Sequence, residues 1–411
     1  MFVSFLSSKS MNFAFSILGI FLFLSCGMSP AVSGQSEESR PQVESAKPGI
    51  YDFRRLLSLI GDAKVAVVTN HTGSIEGVHI VDSLITSGVV VKKVFAPEHG
   101  FRGDHADGEN IEDGIDRKTG VPVISLYGKS KKPTKESLKD VDIVLFDIQD
   151  VGARFYTYLS TLHYVMQACS EENIPLIVTD RPNPNIHYID GPVMKEEFKS
   201  FVGLHPVPII YGMTIGEYAL MLNGEGWHEA EPCDLTVFSC LNYGRSMSYE
   251  LPIKPSPNLP TMESVYLYPS ICLFEGTKVS VGRGTAEPFT IIGEPGNKNG
   301  DFEFIPEPIE GASINPKHKG ETCRGYDLSD FVSKPAEISQ LDLTWLVRMY
   351  AETDDKSDFF LRSGYFDKLA GTDRLRKEII EGVDLEEIRN GWQSDLKKFE
   401  AIRAKYLIYA D

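Results

Sequence analysis

Four apolar runs in this chain each break off into a dense polar signature, and that pattern constrains the fold more than any other feature. Val65–Val68 leads into Thr69-Asn70-His71-Thr72-Gly73, and Val89–Ala96 into Pro97-Glu98-His99-Gly100. Ile143–Phe146 leads into Asp147-Ile148-Gln149-Asp150, and Leu176–Val178 into Thr179-Asp180-Arg181-Pro182-Asn183. Short apolar runs bounded by turn-forming residues read as buried strands. Val121–Leu126 is a further strand of this kind. Helical patterns fall between them at Val78–Thr86, Lys135–Lys139, Leu159–Glu172 and Ile215–Leu222, the last behind the capping-box signature Thr214-Ile215-Gly216-Glu217. Strands alternating with helices from Gly49 to about Asn242 predict an α/β fold with a doubly wound parallel sheet. Ligands of such sheets bind outside the carboxyl ends of the strands, where the polar signatures gather.

The texture changes at Pro252–Pro260, where Pro255-Ser256-Pro257-Asn258-Leu259-Pro260 cannot continue regular structure. Strand-like and loop-rich segments follow, including Gly276–Phe289, and then helical stretches at Leu341–Glu352 and Leu375–Lys398. This predicts a catalytic domain over 49–250, a smaller α+β C-terminal domain over 251–411, and a site in the cleft between them. At the other end, Phe13–Leu24 is apolar but too short and wrongly flanked for a spanning helix, with Lys9 as a weak basic lead. Residues 1–33 read as an export signal, cleaved near Ser33 or ahead of Cys26 as in a bacterial lipoprotein, and 34–48 as a flexible polar tether. The expected location is periplasmic or at the cell envelope, with membrane contact only through a lipid on Cys26. Cys169, Cys233, Cys240, Cys272 and Cys323 are odd in number and scattered, which predicts buried free thiols rather than a disulfide framework.

A net charge of -17 argues against nucleic acid, which needs a basic footprint on its partner. No GxGxxG follows the first strand, and there is no GxxxxGK[ST], GxSxG or HExxH. Carboxylates remain. Glu98 directly follows an apolar strand, where burial would raise its pKa and make it a usable general acid. Asp147, Asp150 and Asp180 stand at neighbouring strand ends, and Glu275 and Glu287 flank a Gly-rich segment. His71, His99 and His105 with Asp104, Asp107 and Glu109 are ligand types for a divalent ion, but their spacing matches no metal motif, and no metal or cofactor is assigned. Arg154, Arg181 and Arg283 are candidate anion binders. Phe155-Tyr156-Thr157-Tyr158 offers aromatic faces and hydroxyls to a sugar ring, with Phe155 read as core.

Seven motifs occur in order: Asn70-His71-Thr72-Gly73, Pro97-Glu98-His99-Gly100, Asp147 through Tyr158, Asp180-Arg181-Pro182-Asn183-Pro184, Tyr211-Gly212-Met213-Thr214-Ile215-Gly216-Glu217, Pro255 through Thr261, and Leu273-Phe274-Glu275-Gly276-Thr277 through Gly282-Arg283-Gly284-Thr285. From about Gly49 to Tyr409 the chain resembles the NamZ-type exo-β-N-acetylmuramidases. The resemblance implies a Rossmann-like catalytic domain with a C-terminal auxiliary domain. It implies an exo-acting glycoside hydrolase releasing terminal β-1,4-linked N-acetylmuramic acid from non-reducing ends of peptidoglycan fragments. It carries the catalytic glutamate onto Glu98 and leaves the second catalytic group open. On this reading Asp147, Asp150 or Asp180 supplies the second carboxylate or orients substrate. Arg154 and Arg283 bind the lactyl carboxylate, while Asn70, His99 and Tyr156 line the sugar site. The rivals are a hydrolase of another β-linked hexosamine, a muropeptide-binding envelope protein without catalysis, and a metal-dependent hydrolase. Acids gathered at strand ends weigh against a binder of an anionic sugar.

Overall fold

The computed structural model of the protein describes residues 45–102, 113–128, 130–332, 337–362 and 364–410. In chain order the strands of the first half are β1 (Lys64–Thr69), the hairpin β2 (Ser74–Ile75) and β3 (Val78–His79), β4 (Val90–Ala96), β5 (Gly114–Ile115), β6 (Pro122–Ser125), β7 (Ile143–Asp147), β8 (Leu176–Thr179) and β9 (Leu235–Phe238). Apart from the hairpin they form one sheet in the order β5-β6-β4-β1-β7-β8-β9. Every pairing is parallel except that of the short edge strand β5 with β6. Among the parallel strands alone, the third, second and first lie beside the fourth, fifth and sixth. This is the doubly wound Rossmann-like arrangement, reversing between β1 and β7. The four polar-ended runs are β1, β4, β7 and β8.

The strands turn apolar toward their carboxyl ends, where both faces of the sheet are covered. Successive residues point to opposite faces, so Val65 and Val67 of β1 pack in one core while Ala66 and Val68 pack in the other. Around the sheet lie α1 (Phe53–Ile60), α2 (Ile80–Thr86), α3 (Tyr158–Glu172) and α4 (Ile215–Gly224). The capping box at Thr214 and Glu217 forms as its sequence predicts. Two helix expectations need correction. Val78 and His79 belong to the hairpin, and the helix starts at Ile80 under a cap from the His79 side chain. Lys135–Lys139 is a turn: Thr134 and Ser137 bond each other's backbone, and Asp140 turns the chain at φ 59°, leaving a stretch too short to sustain a helix nucleus.

The second half carries α5 (Met262–Ile271), an antiparallel sheet of β10 (Ile291–Glu294), β11 (Phe302–Phe304) and β12 (Cys323–Asp327) with β12 in the middle, and, among the described residues, five further α-helices. These are α6 (Thr344–Glu352), α7 (Tyr365–Ala370), α8 (Arg374–Glu381), α9 (Leu385–Asn390) and α10 (Gln393–Arg403). The single helix expected over Leu375–Lys398 is three helices. Gly382 turns left-handed at φ 73°, and the Asp384 side chain then caps a new start by accepting from Glu386 N. Residues of the second half, including Leu273, Phe366 and Trp392, share one core with Val68 and Phe146 of the main sheet. Glu44–Asp411 is accordingly one compact unit.

The end of the chain returns to the first half. Tyr409 donates its hydroxyl to Asp180 Oδ2 at 2.6 Å, Ile408 N donates to Glu217 Oε1 at 2.9 Å, and Arg403 donates to Gly212 O at 2.6 Å. The tether expected up to Pro48 ends earlier, because Lys47 exchanges two backbone hydrogen bonds with Leu241. The cysteines from Cys169 to Cys323 are buried free thiols. Among the described residues no helix is long and apolar enough to cross a membrane. Phe13–Leu24, Cys26, and the Asp104, His105, Asp107 and Glu109 part of the possible metal cluster lie outside the described residues.

Candidate active site

A pocket of about 800 Å³ opens between the carboxyl end of β4, the start of α3 and the segments on either side of α5. Glu98 and His99 reach it from the turn after β4, where His99 (φ 69°) and Gly100 (φ 76°) are both left-handed. A left-handed non-glycine residue costs about 1–2 kcal/mol, so the surrounding packing holds this turn in place. Glu98 is half-buried, and its Oε2 accepts a hydrogen bond from Thr157 Oγ1 at 2.8 Å. His99 is buried on the same wall.

An aromatic layer backs the acid. Tyr156 meets Tyr158 and Tyr268 edge-on, at ring-centre distances of 4.8 and 5.8 Å, and its hydroxyl donates to Pro255 O at 2.8 Å. Phe155, read as core, is buried against Tyr268 and also lines the pocket. Tyr158 Oη is 3.5 Å from Glu98 O and accepts from Asn70 Nδ2 at 2.8 Å. Asn70, expected on the site wall, is instead fully buried away from this pocket and reaches the Glu98 turn through Tyr158.

The same pocket also has a charged corner. Arg283, between Gly282 (φ 77°) and Gly284 (φ 82°), donates Nε–H to Glu275 Oε1 at 2.6 Å and lies 4.9 Å over the Phe289 ring. Burial alone would raise the Glu275 carboxyl, but Arg283 and Lys317 beside it hold it below its ordinary range. Lys317 is anchored by three carbonyls, Phe274, Thr277 and Val279, at 3.2, 2.6 and 2.8 Å. It lies in no motif and is invisible to sequence reasoning. Glu98 and Glu275 are the carboxylates on this wall among the described residues.

The other predicted site residues are engaged elsewhere. Asp147 forms a buried two-pronged ion pair with Arg181, at 2.7 and 3.0 Å, which uses up both charges. Asp180 accepts from Thr214 Oγ1 and Gly216 N, both at 2.7 Å, and from Tyr409, so it pins α4 and the chain end to β8. Asp150 lies behind the aromatic layer, accepting from Tyr211 and from Gly152 N, with Oδ1 unpartnered. Burial pushes its carboxyl up to about 6 against the pull of those donors. Arg154 cannot meet a lactyl carboxylate: its buried guanidinium donates to Pro192 O, Val207 O and Leu369 O at 2.8, 2.6 and 2.8 Å. Glu287 is exposed and off the pocket wall. A polar residue just past a strand reads alike in sequence whether it faces a ligand or the next loop, and here most face loops. His71 lies on a neighbouring cavity, its Nε2 2.8 Å from Lys254 O.

Two family models cover the chain: the N-terminal model of the exo-β-N-acetylmuramidase NamZ matches residues 65–263 and the C-terminal model matches 266–409. The peptidoglycan β-N-acetylmuramidase NamZ of Bacillus subtilis (strain 168) is 39% identical over 418 residues, spanning 97% of this chain and 99% of that protein. Two crystal structures of DUF1343 family proteins from Bacteroides fragilis are similar throughout. One has a TM-score of 0.83 at 41% identity, covering 90% of this chain and all of that one. The other has a TM-score of 0.75 at 29% identity, covering 89% of this chain and 99% of that one.

Proposed function

The chain belongs to the exo-β-N-acetylmuramidase NamZ family, a family of glycoside hydrolases, and from that membership we propose how its pocket works. Glu98 is the general acid that frees terminal β-1,4-linked N-acetylmuramic acid from non-reducing ends of peptidoglycan fragments. The observation that carries this is the contrast between carboxylates. Glu98 stands on the pocket wall with a hydroxyl donor on one oxygen, while Asp147, Asp150 and Asp180 are engaged inside the protein. Glu98 gives its proton to the glycosidic oxygen as the bond from C1 to that oxygen breaks, and water completes the hydrolysis at C1. The substrate's 2-acetamido group offers a nucleophile that needs no second protein carboxylate. Arg283 brings a cation to the same pocket, which suits the lactyl carboxylate of muramic acid. Glu275 orients that arginine.

The test is hydrolysis of p-nitrophenyl β-N-acetylmuramide beside the N-acetylglucosamine analogue. Wild type cleaves the muramide, and Glu98→Gln, folded normally, loses about 10²–10⁴-fold in rate. A folded Glu98→Gln protein with wild-type turnover removes Glu98 from the mechanism.

The apolar stretch Phe13–Leu24 ahead of Cys26 supports an exported, envelope-held enzyme, where such fragments are found. Fractionation of cells carrying wild type or Cys26→Ser tests the lipid anchor: only the wild type pellets with membranes if Cys26 is lipidated.

A further inference from the structure

A second cavity, of about 950 Å³, shares Asn258 with the Glu98 pocket. Two segments contribute to the lining of both. From the linker, Ser256 faces the Glu98 pocket and Pro257 the cavity, with Asn258 on both. From the loop after α5, Arg283 and Phe289 face the pocket, while Thr285, Ala286 and Pro288 face the cavity. On the sheet side the cavity is walled by His71, the neighbour of Asn70, and Asn70 reaches the Glu98 turn through Tyr158. The acid and the cavity therefore hang on one short chain of contacts.

We propose that this cavity is the leaving-group subsite, which holds the N-acetylhexosamine released when the bond to the muramic residue breaks. The proposal rests on Glu98 being the acid. The leaving sugar begins at the oxygen that Glu98 protonates, so it must lie against a surface next to that acid. The cavity fits a pyranose in composition. Pro257, Pro260, Pro288 and Ile309 give apolar faces for the C–H side of a ring, and His71, Asn258 and Glu310 give polar partners at the edges. His71 has a particular role. Its Nε2 lies 2.8 Å from a carbonyl and so carries the hydrogen, which makes Nδ1 the acceptor. That Nδ1 is buried with no protein partner, and burial lowers the ring's pKa, keeping it neutral. An acetamido N–H or a sugar hydroxyl is the donor it lacks.

The experiment compares wild type, His71→Ala and Ala286→Trp on two substrates, the disaccharide of N-acetylmuramic acid β-1,4-linked to N-acetylglucosamine and the p-nitrophenyl muramide. The nitrophenyl ring has no acetamido group and no ring hydroxyls. Ala286 is exposed, so its bulky replacement fills the cavity without entering a core. Expected is a rise in KM for the disaccharide of about tenfold or more in both variants, with nitrophenyl hydrolysis within about threefold of wild type. Equal losses on both substrates, or no loss on either, would overturn the subsite. Wild type that cleaves neither substrate overturns the muramidase reading itself, which is a distinct result.

Discussion

Thr157 donates its hydroxyl to Glu98 across 2.8 Å, from the residue just ahead of the first turn of α3. A hydrogen bond contributes about 0.5–1.5 kcal/mol, enough to bias which way the carboxyl faces. Thr157→Val keeps the shape and removes the donor. Its kcat should fall about tenfold with unchanged melting temperature, and Thr157→Ser should restore it. A valine variant as fast as wild type would make the bond incidental to catalysis.

The corner formed by Glu275, Arg283 and Lys317 carries two cations and one carboxylate. Arg283→Met should cost the preference for muramic over N-acetylglucosamine glycosides by about tenfold or more in kcat/KM. Glu275→Gln leaves the corner more positive and should lower KM for the muramic substrate. Both readouts are ratios within one protein preparation, so a general loss of folded enzyme leaves them unchanged. An unaltered ratio in Arg283→Met would separate this arginine from sugar selection.

Arg154 ties Pro192 and Val207 of the first half to Leu369 of α7. Arg154→Met leaves the buried carbonyls of Pro192 and Leu369 without their donor, while Val207 O keeps Met194 N, and should destabilise the fold by about 3 kcal/mol. Its KM at low temperature should stay near wild type, since Arg154 itself does not line the pocket and meets only the backbone oxygen of the lining residue Leu369. Denaturant unfolding beside steady-state kinetics checks both halves, and a raised KM with unchanged stability would reverse the assignment.

Asp150 is pushed from 3.8 up to about 6 by burial. A carboxyl raised in the folded state binds its proton more tightly there than in the unfolded chain. Its contribution to stability is therefore present in acid and is lost as pH rises through about 4 to 6. Asp150→Asn lacks that loss. Its unfolding free energy relative to wild type should climb by about 3 kcal/mol between pH 3 and pH 7. Parallel stability curves for the two proteins would contradict the buried, raised carboxyl.

The architecture was written in the chain because burial on both faces demands apolar strands, and β1, β7 and β8, with the last three residues of β4, meet that demand. Glu98 stood out for the same reason, as did Glu275 and Arg283 beside glycines that permit left-handed turns. What the sequence concealed is a matter of which neighbour a polar group meets. Asp147 and Asp180 carry the same signature as Glu98, yet they meet Arg181 and Thr214, partners supplied by other strands and loops. Lys317 and Asn258 gain their roles from a fold that brings segments far apart in sequence to one pocket. Thr157 was within reach, inside an aromatic and hydroxyl cluster, but nothing local pointed its hydroxyl at Glu98.

The chain leaves the sheet half through the proline-rich linker and comes home to it at Tyr409, so the C-terminal half is strapped at both ends. Swinging that half outward would have to unfasten Tyr409 from Asp180, Ile408 from Glu217 and Arg403 from Gly212 together. The mouth of the pocket thus has a set gauge. Which glycan ends pass it is decided by side chains on its rim rather than by the opening of a jaw.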